Sequence, residues 1–122
     1  MKFYAKSHEW IKVKVIDDIA TIGISKFAAD ELGDVTYLEL PVVGTTFEAG
    51  EVLGSIESVK AASDIFAPVG GTVTEVNEAL ESDPAIVNQS AEDEGWICRL
   101  ENVNLADLDK LMSEEEYLES IK

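Results

Sequence analysis

Basic residues are scarce in this chain of 122 residues. It contains nine lysines and arginines against 25 aspartates and glutamates, which gives a net charge of −16 at pH 7. A chain this acidic is repelled by phosphate backbones and anionic lipid surfaces, so its composition argues against nucleic acid or a membrane as a partner. The acidity is explained by solubility, by steering of the chain toward basic patches on partner proteins, or by both.

Cysteine and histidine occur only once each, as Cys98 and His8. A single cysteine excludes an intrachain disulfide, and the first residues have no apolar signal-peptide region, so we expect the reducing cytoplasm. Cys98 lies in an alternating, strand-like run and is expected to be a buried structural thiol. His8 is expected to be a structural residue with a hydrogen-bond partner. Metal or cysteine–histidine catalysis therefore has too few groups to work with.

Other motifs of enzymes are missing as well. The sequence has no glycine-rich phosphate loop, no Gly-x-Ser-x-Gly element and no apolar run long enough to cross a membrane. Carboxylates are numerous, but in so acidic a chain their number gives no information about an acid–base pair. The sequence therefore predicts a protein that is not an enzyme.

Short strand-like runs separated by glycine and proline turns dominate the sequence. Residues 10–15 and 19–24 alternate with period two on either side of an acidic turn, which predicts a β-hairpin. Ser25 is expected to cap a short helix over residues 26–32 that ends at Gly33. The whole pattern predicts an all-β-dominated fold, in which two antiparallel sheets form a flattened barrel or sandwich with short peripheral helices.

The C-terminal residues have a different periodicity. Residues 104–122 are predicted to form a helical segment packed on the rest of a single domain that spans residues 1–122. Asn104 is expected to cap a first helix in this segment. Ser113 and Glu116 have the spacing of a capping box at the start of a second one.

Lys60 lies near the midpoint of another predicted hairpin. Strand-like runs over residues 51–56 and 63–68 flank it, with one glycine ten residues before it and another eleven residues after it. A lysine at a hairpin tip is ordinarily just solvated. A tight hairpin between rigid strands is also a good way to present an amine for cofactor attachment, because a lysine held in place loses little entropy when an enzyme docks.

The residues around this lysine distinguish the two interpretations. The run Glu57-Ser58-Val59-Lys60-Ala61 resembles the attachment motif of the H protein family of the glycine cleavage system, and Ser58-Val59 disfavours a biotin carrier, in which Ala-Met is common before the lysine. Further motifs of this family follow in order along nearly the whole chain. They are Ser7-His8-Glu9-Trp10, Ala20-Thr21-Ile22-Gly23-Ile24, Leu32-Gly33-Asp34, Leu40-Pro41, Ala67-Pro68, Glu75-Val76-Asn77, Pro84, Val87-Asn88 and Gly95-Trp96.

The resemblance implies a lipoyl carrier fold and a covalent cofactor. Lys60 would carry lipoate as an amide on its side-chain nitrogen. Glu57, Ser58, Val59 and Ala61 would be recognised by the lipoate ligase, or by the lipoyl or octanoyl transferase, that attaches it. Without the neighbouring motifs, Lys60 would be interpreted as an ordinary surface lysine.

The resemblance also implies a role and three partners. The P protein decarboxylates glycine and passes the aminomethyl group to lipoate, the T protein transfers the carbon to tetrahydrofolate, and the L protein, a dihydrolipoamide dehydrogenase, reoxidises the dithiol. Members of the family hold the loaded arm against their own surface, and the matching positions are Ser7, Glu9 and Asp64. From residue type alone, Glu9 and Asp64 would be plain surface acids and Ser7 a turn residue. The chain is expected to act as a monomer.

Several positions depart from the pattern of the family. Phe27 stands where histidine or tyrosine is frequent, Val42 replaces a common acidic residue, and residues 90–94 replace a frequent Pro-Tyr pair. These departures leave two alternatives open. One is a paralogue that acts as a lipoate relay or in another lipoate-dependent pathway, and the other is an adaptor that is no longer modified.

Overall fold

Strands make up most of the regular structure. The computed structural model describes residues 1–122 and contains ten strands, four α-helices and two 3₁₀ helices. The strands are β1 (Lys2–Tyr4), β2 (Glu9–Lys14), β3 (Ile19–Ile24), β4 (Val35–Glu39), β5 (Thr46–Phe47), β6 (Val52–Ser58), β7 (Ala62–Phe66), β8 (Gly71–Val76), β9 (Cys98–Glu101) and β10 (Met112–Ser113). The α-helices are α1 (Lys26–Leu32), α2 (Ala79–Ser82), α3 (Ile86–Ser90) and α4 (Glu114–Ser120), and the 3₁₀ helices are Val15–Asp17 and Leu105–Lys110.

The strands are divided between two sheets. The large sheet has the order β10-β1-β2-β3-β9-β8-β5, and the small sheet has the order β4-β6-β7. Every strand pair is antiparallel, which confirms the predicted sheet type. The hydrogen-bonded ladders leave both sheets open, so the fold is a sandwich and the ladders do not close into a barrel.

Alternation along the strands directs one face of the large sheet into the core. On β2, Ile11 and Val13 are buried, whereas Lys12 and Lys14 are exposed on the opposite face. The inward residues of both sheets join one cluster of 21 buried side chains. Each fully buried aliphatic side chain in it contributes about 1.5–3 kcal/mol to stability. Cys98 belongs to this cluster and is fully buried, which confirms that its thiol is structural.

Helix α1 begins and ends where the sequence predicts. The Ser25 hydroxyl accepts a hydrogen bond from the Ala28 N–H at 3.1 Å, which satisfies one of the free donors in the first turn. Gly33 ends the helix with a φ of +72°, a conformation that favours glycine. Both α1 and α4 have seven residues, and no helix of the structure is long and apolar enough to cross a membrane.

The C-terminal segment differs from the predicted pair of helices. Its first helix is 3₁₀, because Leu105, Leu108 and Leu111 recur every third residue, which matches the three residues per turn of that helix. Strand β10 then pairs with β1, and only α4 is an α-helix. The capping box of α4 is confirmed: Ser113 Oγ accepts from the Glu116 N–H, and the Glu116 carboxylate accepts from the Ser113 N–H.

Candidate functional site

The tip of the β6–β7 hairpin is a tight, fully hydrogen-bonded turn. The Ser58 hydroxyl accepts hydrogen bonds from the backbone N–H groups of Lys60 at 3.2 Å and Ala61 at 3.1 Å, and the Ser58 N–H donates to the Ala61 carbonyl at 2.8 Å. The Val59 N–H donates to the Asp34 carbonyl at 3.0 Å, which ties the tip to the loop after α1. Ser58, which was predicted to be a recognition residue, therefore also shapes the turn that presents Lys60.

The side chain of Lys60 is exposed and lies over the C-terminal end of α1. A Cβ built on Gly33 would be 3.2 Å from Lys60 Cε, so the absence of a side chain at position 33 gives the lysine its room. Glu57, Val59 and Ala61 are exposed around it. The structure therefore presents Lys60 and three of its predicted recognition residues to solvent on one turn.

A pocket of about 390 Å³ lies beside this hairpin, between the turn that joins β1 to β2, helix α1 and strand β7. It brings Asp64 together with Ser7 and Glu9, which lie more than 50 residues earlier in the sequence. The full lining is Ser7, His8, Glu9, Ile24, Phe27, Ala28, Glu31, Leu32, Ile56, Ser63, Asp64 and Ile65. The three positions carried over from the family resemblance thus share one cavity.

Glu9 is a buried carboxylate and not the plain surface acid that its residue type suggests. It is only 2% exposed, and it accepts hydrogen bonds from the Ser7 hydroxyl and, at 3.2 Å, from the Phe66 N–H. Burial raises the pKa of Glu9 above its ordinary value of 4.5, although these two hydrogen bonds act in the opposite direction. None of the five ion pairs of the chain includes Glu9. Its charge is therefore without a cationic partner.

The pocket as a whole is acidic. Three carboxylates line it, from Glu9, Glu31 and Asp64, and no lysine or arginine is among its lining residues. Asp64 is exposed at its rim, as expected from its residue type, and Ser7 is exposed in the turn before β2. A cavity with one buried and two outer carboxylates is chemically suited to a primary ammonium group.

Helix α1 supplies pocket residues that the sequence analysis did not assign to the site. Phe27 and Glu31 lie four residues apart on α1 and line the cavity from the same side, and the Phe27 ring lies 5.1 Å from the His8 ring. The sequence feature that could have identified them together is their spacing of four residues on a predicted helix, because residues i and i+4 share a helix face. In the sequence, Phe27 stands out only as a departure from the family pattern.

A hydrogen-bonded network supports the back of the pocket. His8 has a φ of +74°, and its Nδ1 lies 2.7 Å from the hydroxyl of Tyr117 on α4. The Tyr117 hydroxyl also shares a hydrogen bond with Ser25 Oγ at 2.7 Å, and Ser25 caps α1. The expectation of a structural, hydrogen-bonded His8 is confirmed. Through this network the C-terminal helix is connected to both walls of the pocket.

Comparison with known proteins agrees with this arrangement. A sequence model of the glycine cleavage H-protein family matches residues 2–122. The chain belongs to the glycine cleavage H-protein family. Relatives named glycine cleavage system H protein include those of Thermotoga maritima, 45% identical over 98% of this chain and 94% of the relative, and Opitutus terrae, 51% identical over 93% and 89%. That of Thermus thermophilus is 49% identical over 99% and 93%.

A solved structure of the family has the same fold. The crystal structure of a glycine cleavage system H protein from Mycobacterium marinum matches with a TM-score of 0.89 at 33% identity, and the match covers 98% of this chain and 95% of that one. The similarity therefore covers both sheets, the Lys60 hairpin and the C-terminal segment. It confirms the H-protein resemblance and the predicted sandwich.

The two residues that could have suggested catalysis have other roles in this H-protein fold. Burial raises the pKa of the Cys98 thiol to about 12, so the thiolate is a negligible species at neutral pH. His8 is held by Tyr117 and by contact with Phe27. Neither residue is placed as an activated nucleophile or base.

Proposed function

We propose that this chain is the lipoyl carrier of a glycine cleavage system, with lipoate attached as an amide to Nζ of Lys60. One observation carries the proposal: an exposed lysine on a rigid turn stands next to an acidic pocket, in a member of the H-protein family. When bound, lipoate supplies a disulfide that accepts the aminomethyl group of glycine and is afterwards regenerated from the dithiol. The chain supplies the tether and the holding site, which raise the effective concentration at each enzyme.

The positions of Lys60 and the pocket are compatible with such an arm. Asp64 follows Lys60 by four residues, so their Cα atoms are separated by at most about 14 Å of extended chain. A lysine side chain lengthened by an amide-linked eight-carbon acyl group is of similar length. The pocket walls formed by Ile24, Phe27 and Leu32 are apolar and suit an aliphatic chain.

We assign the holding of the loaded arm to Ser7, Glu9 and Asp64. Glu9 is the central group, because it is a buried carboxylate with no cation of its own. An ammonium placed beside it would neutralise a charge that burial has already made costly. Ser7 orients one oxygen of the Glu9 carboxylate, and Asp64 contributes a second acidic group at the rim.

We propose that some residues of the hairpin tip are recognised by the enzyme that attaches lipoate, while Ser58 maintains the shape of the turn. Glu57, Val59 and Ala61 are exposed and available to a lipoate ligase or a lipoyl or octanoyl transferase. The Ser58 hydroxyl already makes hydrogen bonds within the turn, so we infer that it acts through the shape of the turn. The attaching enzyme then meets a lysine whose backbone is already fixed, which lowers the entropic cost of docking.

The partners follow from the carrier role. The P, T and L proteins are proposed to dock in turn around the Lys60 hairpin, while the chain itself stays non-catalytic. The relatives named above all carry the glycine cleavage name, which favours this role over a lipoate relay or another pathway. A cytoplasmic location and a monomeric state remain predictions.

Mass spectrometry of protein produced in cells with lipoylation machinery tests the attachment. We expect a lipoyl increment on the peptide that contains Lys60, and none in a Lys60→Arg variant, which keeps the charge but offers no primary amine. An unmodified Lys60, in cells where another carrier is modified, would contradict the proposal.

Reconstitution tests the pathway. With P protein, glycine and labelled bicarbonate, the lipoylated chain is expected to support exchange of the glycine carboxyl group. A lipoylated chain that supports no exchange would instead indicate a paralogue in another lipoate-dependent pathway.

A further inference from the structure

The outer face of the large sheet, which points away from the small sheet, is covered over only one part. There Tyr4 and Trp10 form a buried cluster with Tyr117 of α4, and the Tyr4 and Tyr117 rings stack with centroids 4.2 Å apart. Trp10 Nε1 donates a hydrogen bond to the Ala91 carbonyl at 2.9 Å, which fixes the segment after α3 over the same area. Further along β2, Lys12 and Lys14 are exposed on this face, and Lys12 Nζ donates a hydrogen bond to the Glu92 carbonyl at 3.4 Å at the edge of the covered part.

The uncovered part carries an ordered set of cations. Lys2 pairs with Lys12, Lys12 with Thr21, and Thr21 with Arg99, so these residues form one row across β1, β2, β3 and β9. Three strand intervals of about 4.8 Å make the row about 14 Å long. Lys14 lies two residues beyond Lys12 on the same face. We call Lys2, Lys12, Lys14 and Arg99 the cationic stripe.

The cationic stripe lines a groove of about 700 Å³ and has an unusual charge for this chain. Four of the nine basic residues line the groove, together with a single acidic residue, Asp17, in a molecule of net charge −16. Lys2 and Arg99 are partly neutralised by Glu92 and Glu75, each at 2.6 Å. The other two lysines of the stripe take part in none of the ion pairs.

Apolar side chains stand next to these charges. Ile19 and Met1 line the groove, and both are exposed. The turn between β2 and β3 exposes Ile16 to 93%, the highest exposure of any large hydrophobic residue in the chain. In a protein–protein interface, apolar contact can supply affinity, while complementary charge supplies selectivity and a faster association rate.

We propose that the cationic stripe docks a short acidic segment of a partner protein, with apolar residues of that segment against Ile16 and Ile19. The segment must be short because acids border the row. At its ends, Glu114 lies 3.7 Å from Lys2 next to β10, and Glu75 on β8 pairs with Arg99. Along one side, Asp93 and Glu94 share a cavity with Lys12. A long polyanion such as nucleic acid would extend over these carboxylates and be repelled.

The same charges disfavour a second copy of this chain as the occupant, since two molecules of net charge −16 repel each other. For a partner that offers only a local acidic segment, screening removes most of this repulsion. At physiological ionic strength the screening length is about 8 Å, so the nearby lysines dominate over distant acids.

Docking here would leave the Lys60 hairpin free. Lys60 belongs to the small sheet, and the cationic stripe is on the face of the large sheet that points away from it. A partner could therefore stay bound at the cationic stripe while Lys60 remains accessible to other proteins. This binding surface is additional to the carrier role and does not depend on lipoylation.

NMR titration of the isotope-labelled, unmodified chain with an oligo-glutamate peptide at 0.15 M salt tests the proposal. We expect the amide signals of Lys12, Lys14, Thr21 and Arg99 to shift. The double variant Lys12→Glu/Lys14→Glu should bind the peptide at least about fivefold more weakly. The control Lys110→Glu/Lys122→Glu has the same change of net charge, from −16 to −20, at exposed lysines outside the groove, and should bind as the parent does.

Three outcomes would overturn the proposal. Equal weakening in both double variants would mean that only net charge matters. Shifts confined to other residues would place the binding elsewhere. Binding of inorganic tripolyphosphate at the cationic stripe without binding of the peptide would identify a small-anion site. If the docked partner is one of the glycine cleavage enzymes, the lipoylated Lys12→Glu/Lys14→Glu variant should raise its KM for the carrier at unchanged kcat. Failure of the carrier role would leave the peptide result unaffected.

Discussion

Replacement of Glu9 by glutamine tests the central group of the pocket. Glutamine has nearly the same shape, and its amide oxygen can still accept the hydrogen bond from the Phe66 N–H, while its NH₂ group can donate to the Ser7 hydroxyl. The substitution therefore removes the negative charge and little else. Because the tip around Lys60 is unchanged, lipoylation should proceed as in the parent chain.

The magnitude follows from the interaction that is lost. A hydrogen bond between charged partners contributes about 1.5–3 kcal/mol, and each 1.36 kcal/mol corresponds to a factor of ten in rate. If Glu9 holds the ammonium of the loaded arm, the Glu9→Gln variant should lose the aminomethyl group roughly 10- to 100-fold faster. Single-turnover loss rates of the loaded carrier measure this. Glu81→Gln, at an exposed acid outside the pocket, is the control.

Stability provides a second readout that does not require lipoate. Because the folded pKa of Glu9 is raised, the folded chain retains a proton that the unfolded chain releases near pH 4.5. The free energy of unfolding contributed by Glu9 is therefore fully present below that pH and is lost as pH rises through the folded pKa. Glu9→Gln should remove this loss and stabilise the chain at pH 7 by about 0.5–2 kcal/mol, as often happens when a functional group is neutralised.

Two results would refute this reasoning. An unchanged loss rate in Glu9→Gln would mean that the buried carboxylate does not hold the arm. A stability difference between variant and parent that stays constant from acid to neutral pH in urea titrations would mean that Glu9 has no raised pKa.

Three further predictions concern the frame of the site. Ser58→Ala should lower the free energy of unfolding by about 1 kcal/mol and slow lipoylation, because the turn loses its side-chain acceptor. Faster hydrogen exchange at the Lys60 and Ala61 amides would confirm this loss, and unchanged exchange would contradict it. Gly54→Ala should lower the free energy of unfolding by about 3 kcal/mol or more in urea titrations, because a Cβ there would overlap the Glu39 carbonyl oxygen. A loss under about 1 kcal/mol would be inconsistent with this overlap. Cys98 should resist alkylation at pH 8 in the folded chain and react in urea, since burial raises its pKa to about 12; rapid labelling of the folded chain would argue against this burial.

Local signals were sufficient for much of the fold. The β2–β3 hairpin, the Ser25 cap, the Gly33 helix end and the capping box of α4 depend on neighbouring residues, so periodicity and capping chemistry predicted them. Strand β10 was missed because a two-residue strand has no period of its own. It forms only because β1, more than 100 residues earlier, offers a free edge.

For the candidate site too, some features follow from the sequence and others only from the tertiary structure. The sequence by itself determined the Lys60 hairpin, the family motifs and the carboxylates at positions 9 and 64, since these are matters of residue type and spacing. Only the tertiary structure decided that Glu9 is buried without a cation, that α1 adds Phe27 and Glu31 to its pocket, and that four cations align on one face of an acidic chain. Burial and cross-strand alignment depend on contacts between residues distant in sequence, and a pattern read along one chain does not contain those distances.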